Sequence, residues 1–186
     1  MIVEIILQLF LGGEAMQTCI LCFSRAGENY LDGEIQHLTQ GNTETLAKII
    51  QTQTQWHFCK IEPLNPYPTD YQGTKLLAKN EFELNLQIPY LPLDLDLNDY
   101  QRILLGYPNW WGSFPQVIKT FVSEQNLDGK TIHPFCTHEG SGFGRSICEL
   151  KRLCPQSEIA LELPVTGSRV QKALPAVKNW LAAMEN

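Results

Sequence analysis

The chain has 186 residues, 44% of them hydrophobic and 18% charged, which suits one compact domain and excludes a disordered or fibrous protein. Its 14 Lys and Arg residues against 20 Asp and Glu residues give a net charge of −6, which disfavours binding to the phosphates of nucleic acids. No apolar run approaches the roughly 20 residues that a membrane-spanning helix needs, so we expect no membrane partner.

The N-terminal segment, residues 1–15, is apolar up to Leu11 and ends in Gly-Gly-Glu-Ala, directly before Met16. A secretory signal carries Lys or Arg ahead of its apolar region, whereas the only charge before residue 12 is Glu4. We therefore expect residues 1–15 to be an extension or a misassigned start, and residues 16–186 to form a single domain. A short helix or strand packed on that domain is the alternative.

Cysteine pairing is not expected. Cys19 and Cys22 form a C-x-x-C spacing, but they lie in the strand-like run TCILCF. Residues three apart on a strand are about 10 Å apart and face opposite sides, too far for a disulfide or a shared metal. The other cysteines occur singly in apolar patterns and are expected to be core residues of a cytoplasmic protein. They are Cys59, Cys136, Cys148 and Cys154.

Short apolar runs alternate along the chain with segments of helical periodicity. The helical segments lie near residues 46–50, 69–84, 114–122, 143–154 and 170–181, and Pro175 should start or kink the last of them. Strands this apolar are typical of a parallel sheet covered by helices on both faces, so we predict a doubly wound α/β sandwich. Pro134 conflicts with this pattern because it removes a donor inside a strand. The predicted strands are Thr18–Phe23, Trp56–Ile61, Gln101–Tyr107, Thr131–Cys136 and Glu158–Leu163.

Ligands of such sheets bind at the carboxyl ends of the strands, so the loops after the first, third and fourth strands are the candidates. The first loop begins Ser24-Arg25-Ala26-Gly27, continues through a polar insert, and reaches Gly41-Asn42-Thr43, where Asn42 or Thr43 could cap the first helix. Hydroxyl groups, amides beside glycine and a helix N-terminus suit a phosphate group, and Arg25 could add a charged contact. An ordinary capped helix after a surface loop is the alternative.

The second loop, Gly106-Tyr-Pro-Asn-Trp-Trp-Gly-Ser113, contains two adjacent tryptophans, which are unusual in a loop. A planar aromatic ligand would cover an indole and gain stacking energy, although the indoles could instead close the edge of the domain. Ser113 and Pro115 could open the next helix.

The third loop, Thr137-His-Glu-Gly-Ser-Gly-Phe-Gly-Arg145, is rich in glycine, so its backbone can approach a ligand closely. His138 and Glu139 suggest a metal site or an acid–base pair, but no third metal ligand stands at suitable spacing, and we predict no metal.

The chain resembles the flavodoxin-like flavoproteins, specifically a small bacterial branch with an insert in the phosphate loop. The segments that carry this resemblance are SRAGEN, GNTE, YPNWWGSFP and PFCTHEGSGFGRS. The resemblance covers about residues 18–181. It implies a flavodoxin-like three-layer sandwich, with a five-stranded parallel sheet of order 2-1-3-4-5, and a noncovalent FMN.

The resemblance also assigns residues to the cofactor. The phosphate would be held by Ser24, Arg25, Gly27, Asn42 and Thr43. One edge and face of the flavin ring would meet Pro108, Asn109, Trp110 and Trp111. The other side would be lined by Thr137, His138, Glu139, Gly140, Gly142 and Phe143. The aromatic residue that standard flavodoxins place over the outer face has no direct match, and His138 or Phe143 could substitute for it.

Three functions are compatible with this assignment. The first is an FMN-binding electron carrier that docks redox partner proteins, in which the net charge of −6 would lower the flavin potential. The second is an FMN-dependent oxidoreductase of the NAD(P)H:quinone type, which must admit a second planar substrate over the flavin. The third is a binding module of the same fold without a cofactor.

Overall fold

The computed structural model describes residues 16–185, and the predicted extension, residues 1–15, lies outside this range. The strands are β1 Thr18–Cys22, β2 Gly27–Leu31, β3 Glu34–Leu38, β4 His57–Lys60, β5 Arg102–Pro108, β6 Thr131–His138, β7 Glu158–Ile159 and β8 Leu163–Thr166. The helices are α1 Asn42–Thr54, α2 Tyr71–Glu83, α3 Gln116–Glu124, α4 Ser146–Leu153 and α5 Leu174–Ala183. Two 3₁₀ helices span Leu97–Asp99 and Gly167–Lys172. Within residues 16–185, no helix is long and apolar enough to cross a bilayer.

The main sheet is parallel, in the order β4-β1-β5-β6, and both β7 and β8 pair with the outer side of β6. Counted along the chain, with β7 and β8 as one interrupted fifth strand, the order is 2-1-3-4-5, which confirms the prediction. Crossovers connect the consecutive parallel strands, so the carboxyl ends of β1, β5 and β6 all reach the same edge of the sheet.

Both faces of the sheet are covered, because alternate residues of each strand point to opposite sides. Cys19 and Leu21 of β1 belong to the buried cluster that includes α3 and α4, whereas Ile20 and Cys22 belong to the cluster that includes α1 and α5. Cys19 and Cys22 therefore lie on opposite faces of one strand, as the strand geometry predicted.

The interruption of the fifth strand explains how Pro134 fits within β6. The carbonyl of Ile132 accepts the backbone N–H of Ala160 at 2.9 Å, so the peptide groups of Ile132 face the fifth strand. Pro134, two residues on, faces the same way. The paired residues end at Ile159 and resume at Leu163, so the donor that Pro134 lacks falls opposite the break between β7 and β8.

Two helix starts differ from the prediction. Helix α1 has Gly41 as its N-cap residue, without a side-chain cap, so neither Asn42 nor Thr43 is the cap. Helix α3 has Pro115 at its N-cap, while Ser113 exchanges two backbone hydrogen bonds with Trp110 in the preceding turn. Helix α5 starts at Leu174 with Pro175 in its first turn, one of the two predicted outcomes.

The polar insert after β1 is an antiparallel hairpin of β2 and β3, which forms a separate two-stranded sheet. Its turn is Asp32-Gly33, and both residues have positive φ angles, 50° and 92°. Such a turn matches the twist of two hairpin strands, and Asp-Gly is a sequence signal for it. The hairpin was missed in the sequence, although this dipeptide could have revealed it.

The cysteines predict a simple pattern of thiol reactivity. Cys148 is exposed and the other five are buried. Burial raises the pKa of Cys19 to about 12 and that of Cys59 and Cys154 to about 11, which suppresses their reactive thiolate form. We expect a thiol-specific disulfide reagent to modify one cysteine rapidly in the folded protein and all six after denaturation. Cys148→Ser should abolish the rapid phase; rapid modification elsewhere would contradict the packing.

Candidate functional site

The three predicted loops meet in one pocket at the carboxyl ends of β1, β5 and β6, here called the main pocket. Residues of all three loops line it, together with residues of the hairpin and of helix α2. The predicted residues in its lining are Ser24, Arg25, Asn42, Thr43, Pro108, Asn109, Trp110, Thr137, His138 and Glu139. The lining residues that the sequence reasoning missed are Asn29, Tyr30, Leu31, Tyr71, Ser141 and Gly167.

The N-terminus of α1 opens toward this pocket. The first amides of a helix have no acceptor within the helix, and Gly41 has no side chain that could cap them. A Cβ atom at Gly41 would lie 2.3 Å from Ser24 Oγ and 2.4 Å from the Arg25 carbonyl oxygen. Only glycine therefore lets the loop after β1 press this closely against the start of α1, which makes a concave polar corner with partial positive charge.

A buried hydroxyl pair joins this corner to the third loop. The Oγ1 atoms of Thr43 and Thr137 are 2.7 Å apart, and both side chains are buried. Thr43 lies in the first turn of α1 and Thr137 lies near the end of β6. The contact fixes the distance between the first and third loops across the floor of the pocket.

Arg25 forms part of the pocket wall and is anchored by backbone carbonyls. Its terminal nitrogens donate to the carbonyls of Pro68 at 2.7 Å, Thr69 at 3.1 Å and Glu28. Burial lowers the pKa of Arg25, and the carboxylates of Asp70 and Glu28 oppose that shift. Its Nε atom is buried without a hydrogen-bond partner among the described residues. The predicted charge is thus present at the pocket, with its terminal donors already used.

The tryptophan loop is a tight turn whose two indoles have different surroundings. Trp110 meets the rings of Phe23 and Tyr67 edge-on, with centroids 5.3 and 5.0 Å apart, and also lines the main pocket. Trp111, at a φ of 54°, is 40% exposed. Packing and pocket lining, considered as alternatives from the sequence, are thus combined in Trp110.

The buried carboxyl group of Glu81 supports the packing of Trp110 through Tyr67. Tyr67 donates its hydroxyl to Glu81 Oε2 at 2.6 Å, and both side chains are buried. Burial raises the pKa of Glu81, and the hydrogen bond from Tyr67 opposes that rise. The pair fixes the ring of Tyr67 against which Trp110 packs.

The third loop is pinned to the second. Asn109 donates its side-chain amide to the Gly142 carbonyl at 2.7 Å, and its Oδ1 accepts the Gly112 backbone N–H at 3.1 Å. A Cβ atom at Gly144 would lie 2.2 Å from the Gly112 carbonyl oxygen, so the two loops touch through glycine. The loops act as one support for the pocket.

His138 and Glu139 line the pocket but have protein partners. His138 Nδ1 accepts the Gly140 backbone N–H at 3.0 Å, which leaves Nε2 to carry the proton of the neutral ring. Burial lowers the pKa of His138, and the charge of Glu139 opposes this. The Glu139 carboxylate accepts backbone N–H groups of Asp32 at 3.2 Å and Ser168 at 2.8 Å, so it ties the hairpin turn to the 3₁₀ helix after β8.

Five predicted site residues lie outside the lining of the main pocket. Gly27 faces Thr69, whose carbonyl oxygen would be 2.5 Å from a Cβ atom there. Phe143 is partly buried and packs edge-on against Tyr107, with ring centroids 6.2 Å apart, at the margin of the core. Trp111 lines an adjoining groove, and Gly140 and Gly142 shape the third loop through their backbone.

An open parallel sheet with a polar helix N-terminus and an aromatic loop at its carboxyl edge defines a nucleotide-binding α/β protein. The chain belongs to the flavodoxin family, since the family model described as Flavodoxin matches residues 36–184. This agrees with the resemblance seen in the sequence and with FMN as the cofactor expected from it.

Solved structures share the fold. A protein from Bacteroides uniformis has a TM-score of 0.70 and 21% identity, covering 91% of this chain and 99% of its own. A flavoprotein from Lactobacillus acidophilus, solved in complex with FMN, has a TM-score of 0.62 and 22% identity, covering 85% of this chain and 98% of its own. No curated protein matches the chain.

Proposed function

We propose that the protein is a redox protein that binds FMN noncovalently and transfers electrons through it. The observation that carries the proposal is the single pocket into which all three predicted loops converge, polar at the start of α1 and aromatic at Trp110. FMN has a charged phosphate at one end and a planar ring at the other, and the pocket offers a suitable surface for each. The FMN complex of the Lactobacillus acidophilus flavoprotein supports the same cofactor here.

The phosphate would be held at the start of α1. Uncapped amides of the first helical turn and the hydroxyls of Ser24 and Thr43 supply donors, and the helix dipole supplies partial positive charge. The Nε–H of Arg25 is a buried donor without an acceptor among the described residues, and an anionic group bound here would supply one. Gly41 is the residue that permits the close approach of the loop after β1 to the helix.

The flavin ring would lie at the other end of the pocket. Pro108, Asn109 and Trp110 would meet one side, while Thr137 and His138 would meet the other. FMN supplies the electron chemistry when bound, and the protein supplies orientation and hydrogen bonds. The neutral form of His138 offers its Nε2–H as a donor.

The pocket lining distinguishes between the candidates for the aromatic residue that covers the outer face of the flavin. Of the two substitutes considered, His138 lines the pocket, whereas Phe143 lies outside its lining and packs against the core. The hairpin adds Tyr30, which also lines the pocket and lies 6.3 Å from the ring of Tyr71. The ring that covers the outer face of the flavin can thus come from the hairpin of β2 and β3.

Replacing a pocket hydroxyl tests the proposal. Wild-type protein is expected to bind FMN, quench its fluorescence and show a flavin absorption spectrum. Thr43→Val keeps the side-chain shape but removes a donor and the bond to Thr137, so we expect FMN affinity to fall by about tenfold. The measurement is a fluorescence titration of FMN with each protein.

Thr52→Val on the same helix is the matched control. Thr52 is exposed, and within the described chain its hydroxyl donates only to the Lys48 carbonyl, so its replacement should leave FMN affinity unchanged. Comparing the unfolding free energies of both variants without FMN separates lost affinity from lost stability. Wild-type protein that stays colourless after FMN addition would contradict the proposal and favour the binding module without a cofactor.

The oxidoreductase of the NAD(P)H:quinone type is a second candidate, favoured by the open groove that adjoins the main pocket at Trp110. Anaerobic rapid mixing of the FMN-loaded protein with NADH or NADPH distinguishes the two functions. Rapid loss of flavin absorbance would exclude a pure carrier, and no direct reaction would favour a carrier served by redox partner proteins. A cytoplasmic location stays a prediction.

A further inference from the structure

A second concave surface, here called the side groove, lies between α2 and the tryptophan loop. Its floor contains Thr74 and Ala78, which are both buried. Arg25, Asn29, Tyr71, Asn109 and Trp110 line both this groove and the main pocket. A molecule in the groove would therefore contact the same wall that the proposed FMN contacts, a position from which electrons could pass between them.

The charge of the side groove is opposite to that of the whole protein. Among residues 16–185, the charged residues that line it are Arg25 and Lys75, without a carboxylate, although the chain carries a net charge of −6. Arg25 is held by carbonyls, with Asp70 and Glu28 nearby. Lys75 is therefore the charged residue of the groove that is available to contact a ligand.

Lys75 differs from the next lysine on its helix. Lys79, one turn further along α2, pairs with Glu83 at 3.4 Å. In residues 16–185, Lys75 has neither an ion pair nor a side-chain hydrogen bond. An exposed cation at the rim of a groove without acids favours an anionic group at that place.

The aromatic lining indicates the shape of the ligand. Trp111 is 40% exposed at the groove, and Trp110 and Tyr71 stand beside it. Exposed indole is stabilised when a flat ring covers it, through burial and aromatic stacking. The turn that presents Trp111 is fixed by the bond from the Gly112 N–H to Asn109, so the ring surface is held in place.

We propose that the side groove binds a small planar aromatic electron acceptor carrying an anionic group, with its ring against Trp111 and its charge at Lys75. This inference rests on the proposed function. For a quinone, two electrons and one proton come from the reduced flavin and a second proton from solvent, leaving a hydroquinone and oxidised FMN. The flavin is first reduced by a donor of the NAD(P)H class, or by dithionite in the laboratory.

Equilibrium binding tests the groove independently of turnover. The oxidised FMN-loaded protein is titrated with naphthoquinone sulfonate and with neutral menadione, following tryptophan fluorescence. Wild type should bind the sulfonate about three- to fivefold more tightly than menadione, as an exposed charge pair allows. Lys75→Gln should remove this preference and Trp111→Ala should weaken both ligands. Lys79→Gln, on the same helix, should preserve the wild-type preference.

The same protein samples separate failure of this inference from failure of the proposed function. An FMN titration precedes the quinone titration for every variant. If FMN binds to wild type and Lys75→Gln alike, but the sulfonate preference persists in Lys75→Gln, the groove inference is overturned and the FMN proposal stands. Displacement of the sulfonate by added FMN would also overturn it, since the groove would then belong to the flavin. Absence of FMN binding would overturn both.

Discussion

The Gly41→Ala variant is expected to bind FMN at least about tenfold more weakly than wild type. A Cβ atom there would lie 2.3 Å from Ser24 Oγ, 2.4 Å from the Arg25 carbonyl oxygen and 2.8 Å from its carbonyl carbon. Two of these are backbone atoms, so the loop after β1 must move away from the start of α1. A displacement that costs about 1.4–3 kcal/mol in strain or lost contacts corresponds to a loss of affinity of about 10- to 150-fold.

The backbone conformation of Gly41 makes this a clean steric test. Its φ angle is −66°, which any residue adopts, so alanine brings no conformational strain of its own. Gly129→Asn is the control, because Gly129 stands in open space before β6, at the opposite end of the sheet, and asparagine tolerates its φ of 72°. The readout is the FMN dissociation constant from flavin fluorescence. Wild-type affinity in Gly41→Ala would refute the assignment of this corner to the phosphate.

The Gly106→Ala variant is expected to lower the free energy of unfolding by about 1–3 kcal/mol. A Cβ atom at Gly106 would lie 2.2 Å from two ring atoms of Phe135 and 2.9 Å from the Cβ of Cys22. Phe135 is fully buried on the neighbouring strand, opposite Gly106 in the register, and its ring also packs against Trp180. The ring cannot turn away without disturbing α5, so the strands must separate or the ring must leave its rotamer.

A double-mutant cycle identifies the cause of this loss. Phe135→Leu alone removes ring atoms from the core and should also destabilise the protein. If the clash is between these two residues, Gly106→Ala combined with Phe135→Leu should be more stable than the sum of the two single effects predicts. Chemical denaturation of all four proteins provides the free energies. Strict additivity would show that the added methyl group strains some other contact.

The layered fold was predictable because its strands are buried on both faces and therefore read as continuous apolar runs. The strand order, implied by the family resemblance, is confirmed by the pairing of β1 with β4 and β5. The fifth strand was predicted as one run, but it is broken between Ile159 and Leu163. That break lies opposite Pro134 of the neighbouring strand, a relation between distant residues that local sequence patterns do not carry.

The candidate site was predictable where the residue type is unusual for its position. The paired tryptophans and the glycine-rich third loop stood out in the sequence, and the structure brings Trp110 and the third loop to one pocket, with Trp111 in the adjoining groove. The contribution of the hairpin was missed, because β3 is mostly exposed and lacks the apolar alternation of a half-buried strand. The role of Glu139 was also inaccessible from sequence, since its partners, Asp32 and Ser168, are distant along the chain.

In the part of the chain that the structure describes, the hairpin shares no backbone ladder with the main sheet, and this has a mechanical consequence. Its attachments within the described chain include two hydrogen bonds. The Glu28 N–H donates to the Thr69 carbonyl, and the Asp32 N–H in the hairpin turn donates to the Glu139 carboxylate. A hairpin attached at a few points can move outward while the six-stranded main sheet stays intact, at a small fraction of the free energy of global unfolding. The rate at which a bulky ligand enters or leaves the pocket would then be set by the breaking of those hairpin contacts, and not by unfolding of the whole domain.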